Sequence, residues 1–295
     1  MMTADARPTG AGVPAAGRVP CLVGPGVRPG RIVAWTLLFL GGVLMVIPFV
    51  YMLATSFKPN LEVYELSLLP RAPTLANYRR LFGASGFPRW FFNSLAIATL
   101  TTLSVLFFDS LAGYTLAKFR FRGRLLVFVA ILSTLMIPTE MLVLPWYVLS
   151  RNLGWLDTYW GIMFPGMMTG FGTFLMKQFF EGVPDELIDA GRVDGLGEFQ
   201  IWSQIAVPLV TPALSALAIF TFLGNWTAFL WPLISTTDRS LYTLPVGLAS
   251  FSSEFQTEWE MVMTGASVAT IPTLLVFILL QRYIVRGVML AGLKG

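Results

Sequence analysis

The sequence has no histidine, one cysteine and few charged residues. Without histidine it lacks the commonest general base and zinc ligand, so Ser-His-Asp and Cys-His arrangements are excluded. A lone cysteine, Cys21, cannot form an intramolecular disulfide. Charged residues make up 12% of the 295, against roughly a quarter in soluble globular chains. The net charge of +4 is small, and the basic residues are scattered around apolar segments. Nucleic acid would want a basic face, so it is not an expected partner.

Apolar residues take up the space: 55% of the chain, with mean hydropathy +0.70. So few charges cannot cover so much apolar surface in water, so the bilayer must be the solvent. The length suits one membrane domain. Six apolar stretches, at about 32–54, 91–116, 125–149, 159–179, 205–232 and 261–284, are long enough to cross ~30 Å of hydrocarbon, which takes about 20 helical residues. None alternates as a barrel strand does. The expected fold class is all-α integral membrane, with six transmembrane helices across residues 31–295.

Residues 1–30 hold six glycines and five prolines and no long apolar run, and read as a disordered cytoplasmic tail. Cys21 follows no apolar stretch, so it does not read as a lipoprotein cysteine. The first apolar run is too long for a cleavable signal and lacks a small-residue cleavage site.

Loop charge sets the orientation. With the N-terminus inside, Arg7, Arg18, Arg28, Arg31, Lys118, Arg120, Arg122, Arg124, Lys177, Arg192, Arg282, Arg286 and Lys294 fall on the inner side. Lys58, Arg71, Arg79, Arg80, Arg89, Arg151 and Arg239 fall on the outer side. The short Lys118–Arg124 loop is the strongest vote, and both termini are then cytoplasmic. The outer loop at about 55–90 is long enough for structure of its own, with a short amphipathic helix expected over Leu75–Phe82. Trp90, Trp146, Trp155, Trp160, Trp231 and Trp259 fall near membrane boundaries, as aromatic belts do. Pro48, Pro138, Pro165, Pro208, Pro212 and Pro272 weaken the helices, and Gly166 and Gly170 form a GxxxG step. Close helix packing and flexing between two states are both open readings.

The inner stretch from Glu181 to Pro208 is too long for a minimal connection. Pro184 suits a first helical turn, and Asp185 and Glu186 face the positive end of the helix dipole. Leu187, Ala190 and Gly191 make a small apolar face at i, i+3 and i+4. Asp194-Gly195 is a turn signal. A second helix resumes near Glu198, carrying Phe199 and Trp202 on one side and Ile201 and Ile205 on another, and ends at Pro208. Six acids in this stretch against Lys177 and Arg192 make a negative patch, suited to docking a soluble partner by charge and a small apolar knob.

This segment resembles the EAA loop of bacterial ABC-importer permeases. Asp189-Ala190-Gly191 stands where Glu-Ala-Ala would be, Asp194-Gly195 matches the family's Asp-Gly, and Val207-Pro208 with Pro212 matches its closing prolines. Asp189 shortens the acid by a methylene, and Gly191 replaces the second alanine at a helix cost of about 1 kcal/mol. Further runs are similar to the carbohydrate-uptake branch, in particular to its six-helix subunit of the maltose-transporter type. They are Phe92-Asn93-Ser94-Leu95, Ala112 to Arg124, Met136-Ile-Pro138, Asn225-Trp226, Phe229 to Pro232, and Gln281 to Gly287.

The resemblance implies an ABC-importer type I permease fold in the bacterial inner membrane and a division of labour. Two permeases pair around a sugar path, and an extracytoplasmic binding protein delivers the solute. Two ATPase subunits, holding ATP and magnesium, each receive one coupling loop, at 181–207 here. The chain itself would bind no cofactor or metal and catalyse nothing. Glu186, Asp189, Ala190, Gly191, Asp194, Gly195, Phe199 and Pro208 would form the coupling loop, with the charge of Asp189 and the bare backbone of Gly195 mattering most.

Asn93, Asp109, Glu140, Asn225 and Trp226 lie in or near apolar runs, where an ionised group costs roughly 2.5–3.5 kcal/mol on insertion scales. They either line the path and meet sugar hydroxyls or hydrogen-bond between helices. Both readings are open. A secondary transporter would favour repeated halves and paired intramembrane charges, which this sequence does not display. No paired carboxylates or metal cluster support a membrane enzyme. Gly287–Gly292 has the glycine spacing of a phosphate-binding loop, but Leu293 follows where lysine should. ATP must be used by a partner.

Overall fold

The computed structural model describes residues 29–65, 67–83, 85–252 and 257–292, with the side chains of 29, 31, 32 and those from 280 onward left out. The expected N-terminal tail, Cys21 and the Gln281–Gly287 motif's side chains lie outside the described residues. What is described is helical: α1 Pro29–Ser56, α2 Ala76–Gly83, α3 Phe87–Lys118, α4 Arg124–Thr134, α5 Thr139–Leu153, α6 Tyr159–Met163, α7 Gly170–Glu181, α8 Asp185–Val193, α9 Glu198–Leu209, α10 Thr211–Trp226, α11 Leu230–Ser235, α12 Leu244–Ala249 and α13 Trp259–Gly292.

Three helices are each long and apolar enough to span a bilayer: Val33–Ser56, Phe87–Lys118 and Trp259–Leu279. Two bent pairs raise the number to five, α4 with α5 at 99° and α9 with α10 at 85°. Three of the six expected apolar stretches are broken helices. The stretch at about 125–149 breaks at Leu135–Pro138, because a proline disfavours helix at the residue before it. The stretch at about 159–179 falls into α6, a 3-10 turn at Phe164–Gly166 and α7. Pro165 and a fresh N-cap at Thr169, whose hydroxyl accepts from the Gly172 N–H, divide it there. Gly166 and Gly170 thus lie on different elements and form no GxxxG face. The stretch at about 205–232 is cut at Val210 and again after Trp226.

α3 is the pillar of residues 49–295. At one end its Tyr114 and Val105 pack with Met176, Phe180, Ile188, Ile201 and Leu217. At the other, its Phe87, Trp90 and Ala98 pack with Leu81, Phe222, Trp226, Leu244 and Met261. Trp90 and Trp231 are buried rather than belted at a surface, their indole N–H groups donating to the carbonyls of Arg239 and Gly161. The expected amphipathic helix near Leu75–Phe82 is α2, seated by buried Asn77 and Leu81. α1, α4, α5 and α13 leave large apolar side chains bare, among them Phe39, Leu126, Leu144 and Leu279. Such continuous apolar faces suit lipid or other helices, not water.

The tertiary bonds sort the loops to two ends of α3. Near Trp90, the carbonyls of Ser240 and Tyr242 accept from Asn93, and Asp157 accepts from Thr237 and Asp238. Near Lys118 lie Val183 and Asp185, and Arg124 pairs with Glu181.

Candidate functional site

At the Lys118 end, α8 and α9 form an elbow. Pro184 stands just before α8 with extended ψ of 132°, one residue earlier than the first turn expected of it. Asp185 and Glu186 then occupy that first turn, where the exposed N–H groups favour negative charge. Ile188 and Gly191 face inward onto Ile201 and Ile205. Leu187 is 42% exposed and Ala190 beside it is exposed too, so these two members of the small apolar face stand bare while Gly191 turns inward. The larger Ile188 takes the inward position. Val193, 87% exposed, and Phe199, 58% exposed, extend the bare apolar surface.

The turn closes α8 with two reversed bonds: Leu196 N–H to the Gly191 carbonyl at 3.0 Å and Gly195 N–H to the Arg192 carbonyl at 3.1 Å. That geometry needs a left-handed residue after the cap, and Gly195 supplies it at φ +79°. A Cβ on Gly191 would come 2.7 Å from the terminal methyl of Ile205, so the glycine lets the two arms approach. α9 begins at Glu198, where Gly197 N–H donates to the Gln200 side chain at 2.9 Å. It passes through Pro208 and ends at Leu209, one residue beyond the expected stop, and Pro212 lies in the first turn of α10. A π-helical turn at Ile201–Ala206 precedes Pro208 and already interrupts the ordinary hydrogen-bond ladder, so the proline removes little.

Ion pairs neutralise most of the elbow's acids. Arg192 Nε lies 2.8 Å from Glu198 Oε1 and its Nη1 2.9 Å from Asp189 Oδ1. Lys118 Nζ donates at 2.6 Å to both the Val183 carbonyl and Asp185 Oδ1. Glu181 Oε1 is 2.6 Å from Lys177 Nζ and 3.5 Å from Arg124 Nη2. Of the six acids, Glu186 and Asp194 form no ion pair among the described residues. The expected negative patch is thus mostly spent inside the elbow, and Asp189 braces it against Arg192. Lys118, by hydrogen bond and charge, holds the Asp185 carboxyl below the usual carboxylate range.

The polar residues of the apolar runs are packed, with one exception. Asp109 is fully buried and accepts from the backbone N–H and hydroxyl of Thr169, the latter at 2.6 Å. It therefore caps the start of α7, and a Cβ on Gly172 would overlap its carboxylate. Asn93 donates to Ser240 and Tyr242 carbonyls at 2.9 Å and accepts from the Tyr159 hydroxyl at 2.7 Å. Trp226 is buried, donates to the Ala269 carbonyl at 3.1 Å and stacks on Phe222. Asn225 donates to the Thr221 carbonyl one turn back and lies half-buried beside Gly166. Glu140 is exposed in the first turn of α5, after the break at Pro138. Asp109, Asn93 and Trp226 thus bond to other segments of the chain.

The sequence reading did not place Lys118, Tyr114 or Arg192 among the site residues. Arg192 was findable from its i, i+3 spacing to Asp189. Nothing local connects Lys118 to Asp185, 67 positions on.

Residues 109–290 match the family model described as binding-protein-dependent transport system inner membrane component. The chain is 36% identical over 269 residues to the arabinooligosaccharides transport system permease protein AraQ of Bacillus subtilis, covering 89% of this chain and 96% of that one. It is 34% identical over 273 residues to the sn-glycerol-3-phosphate transport system permease protein UgpE of Agrobacterium fabrum, covering 88% and 96%. It is 35% identical over 263 residues to the lactose transport system permease protein LacG of Rhizobium radiobacter, covering 89% and 96%. Among solved structures, a chain of a bacterial ABC transporter involved in import of the acidic polysaccharide alginate superposes with TM-score 0.79 at 23% identity, over 88% of this chain and 97% of that one.

Proposed function

The chain belongs to the binding-protein-dependent transport system inner membrane components, and from that premise we propose that it forms half of a sugar path through the inner membrane. It is a permease subunit and not an enzyme. A second permease completes the path, and an extracytoplasmic binding protein delivers the solute. Two ATPase subunits hold ATP and magnesium. Relatives named for arabinooligosaccharides and lactose support a sugar or oligosaccharide as cargo.

The observation that carries the reading is the elbow. It is a stiff helix–turn–helix of paired charges that leaves Leu187, Ala190, Val193 and Phe199 bare at the end of the bundle where the basic Lys118–Arg124 loop lies. Basic loops stay on the cytoplasmic side, so the elbow faces a soluble ATPase, and its bare apolar side chains are what such a partner would cover. The chain runs between the two ends of α3 by α4–α5, by α6–α7 and by α9–α11. With α1, α3 and α13 this supports six crossings and cytoplasmic termini, three of the crossings being broken helices.

The test is co-purification with the ATPase subunits and ATP-dependent uptake of the solute its binding protein carries. Gly195→Pro cannot adopt positive φ, and Asp189→Lys sets two cations face to face. Both should lose ATPase binding and uptake. Full retention of both activities in either variant would refute the coupling role.

A further inference from the structure

The last turn of α3 holds both arms of the elbow. Lys118 is the final residue of that helix, and its side chain is 5% exposed although its charge sits at a bundle end. Its ammonium donates at 2.6 Å to the Val183 carbonyl just ahead of α8 and at 2.6 Å to Asp185, the first residue of α8. One turn earlier on the same face, Tyr114 is buried, and its hydroxyl donates to Glu198 Oε2 at 3.4 Å, at the start of α9. Glu198 is in turn the carboxylate that Arg192 clamps to Asp189. Each arm is therefore bonded at its first residue to one helix, four residues apart, and that helix runs to Phe87 at the far end of the bundle.

We infer that Lys118 is the positioning residue that makes α3 the transmission rod of this subunit, with Tyr114 as its second hold. The inference rests on the importer reading and adds to it which helix the elbow drives. A displacement of the elbow reaches the membrane through two routes. The covalent routes, Gly182–Pro184 on one side and Val210 on the other, are a non-helical link and a bend of 85°, both compliant. The Lys118 route is short and charge-assisted; its side chain is held by packing and by the part-buried bond to the Val183 carbonyl, while the Asp185 carboxylate it pairs with is open to water. A push at Leu187 or Val193 is therefore felt first by α3 and through it by the Trp90 end, where Asn93 and Trp90 hold the 239–242 loop.

The experiment uses the full transporter, expressed with the subunits encoded beside it and with Cys21→Ser as background. Spin labels go on Val193→Cys in the elbow and Arg89→Cys at the far end of α3, both exposed. With Lys118 present, the label distance should stay the same between the nucleotide-free and the ATP–vanadate states, because elbow and rod move as one. In Lys118→Met, which keeps the apolar stem, the distance should shift or broaden with ATP. Stimulation of ATP hydrolysis by the binding protein should fall about tenfold, equivalent to about 1.4 kcal/mol. The ATPase subunits should remain bound, and Lys118→Arg should restore both readings.

An unchanged distance and full stimulation in Lys118→Met overturn the inference. So does loss of the ATPase subunits in that variant, which would make Lys118 a support of the fold. If the chain with Lys118 intact fails to hold ATPase subunits at all, the importer reading itself fails, and that outcome is distinct from the other two.

Discussion

Arg192 Nε and Glu198 Oε1 lie 2.8 Å apart across the turn at Gly195, joining the two arms of the elbow. The same guanidinium holds Asp189 on its other side. One cation thus fixes an angle that the backbone of a two-helix loop would leave soft.

Removing that cation should loosen the elbow more than the protein. Exposed pairs contribute roughly 0.2–1 kcal/mol each, so Arg192→Met should change the melting temperature little. Hydrogen exchange over residues 185–200 should nonetheless rise, and ATPase binding should weaken. Unchanged exchange in Arg192→Met would show that the turn alone sets the angle.

Gly195 tests the turn directly. No atom approaches a Cβ built there, so substitution meets backbone strain and no clash. Gly195→Ala should cost about 1 kcal/mol, and Gly195→Asn less, because asparagine tolerates the left-handed region. Elbow protection and retained ATPase should rank glycine, asparagine, alanine, proline. A flat series would contradict the turn assignment.

Asp109 separates packing from transport. Leucine there strands the Thr169 donors, a loss of about 2 kcal/mol or more, and removes the brace on the start of α7. Asp109→Leu should lower thermal stability, while the KM of the remaining uptake stays the same. A raised KM with unchanged stability would return Asp109 to the substrate path. Gly172→Ala, which crowds the same carboxylate, should lower stability in the same way.

Asp157 gives the pH dependence. The Asp238 N–H, then the Thr237 hydroxyl, hold its carboxyl below the usual range. A depressed pKa means that the ionised form is the one bonded in the fold. Its stabilisation is therefore complete above the ordinary carboxylate value, near pH 4, and is lost as pH falls through the lower folded value. Melting temperature should be insensitive to this group from neutral pH to about pH 5 and decline below about 4. Asp157→Asn should remove that part of the decline, and an identical acid limb in the variant would contradict the assignment.

The elbow was legible because its cues are local: acids after Pro184, Asp194-Gly195 at the turn, Glu198 restarting the helix. Hydropathy likewise marked the apolar stretches but not the breaks at Leu135–Pro138, Thr169 and Val210. Pro138 and Pro165 gave local cues to two of them, but the place where α7 starts depends on the cap at Thr169 and its partner Asp109, 60 residues away. That Ile188 turns inward could not be read, because apolar spacing cannot choose between Leu187 and Ile188 until Ile201 and Ile205 are in place. Lys118, Tyr114 and their partners on the elbow are joined only by the fold.

The central claim, that the elbow presents its bare side to a cytoplasmic motor, is tested most directly at Val193→Cys in a Cys21→Ser background. The measurement is labelling by a membrane-impermeant maleimide in vesicles of known sidedness. The account predicts labelling in inside-out vesicles only, with protection once ATPase subunits are bound. Labelling from the outer face, or no protection by the ATPase, would contradict it.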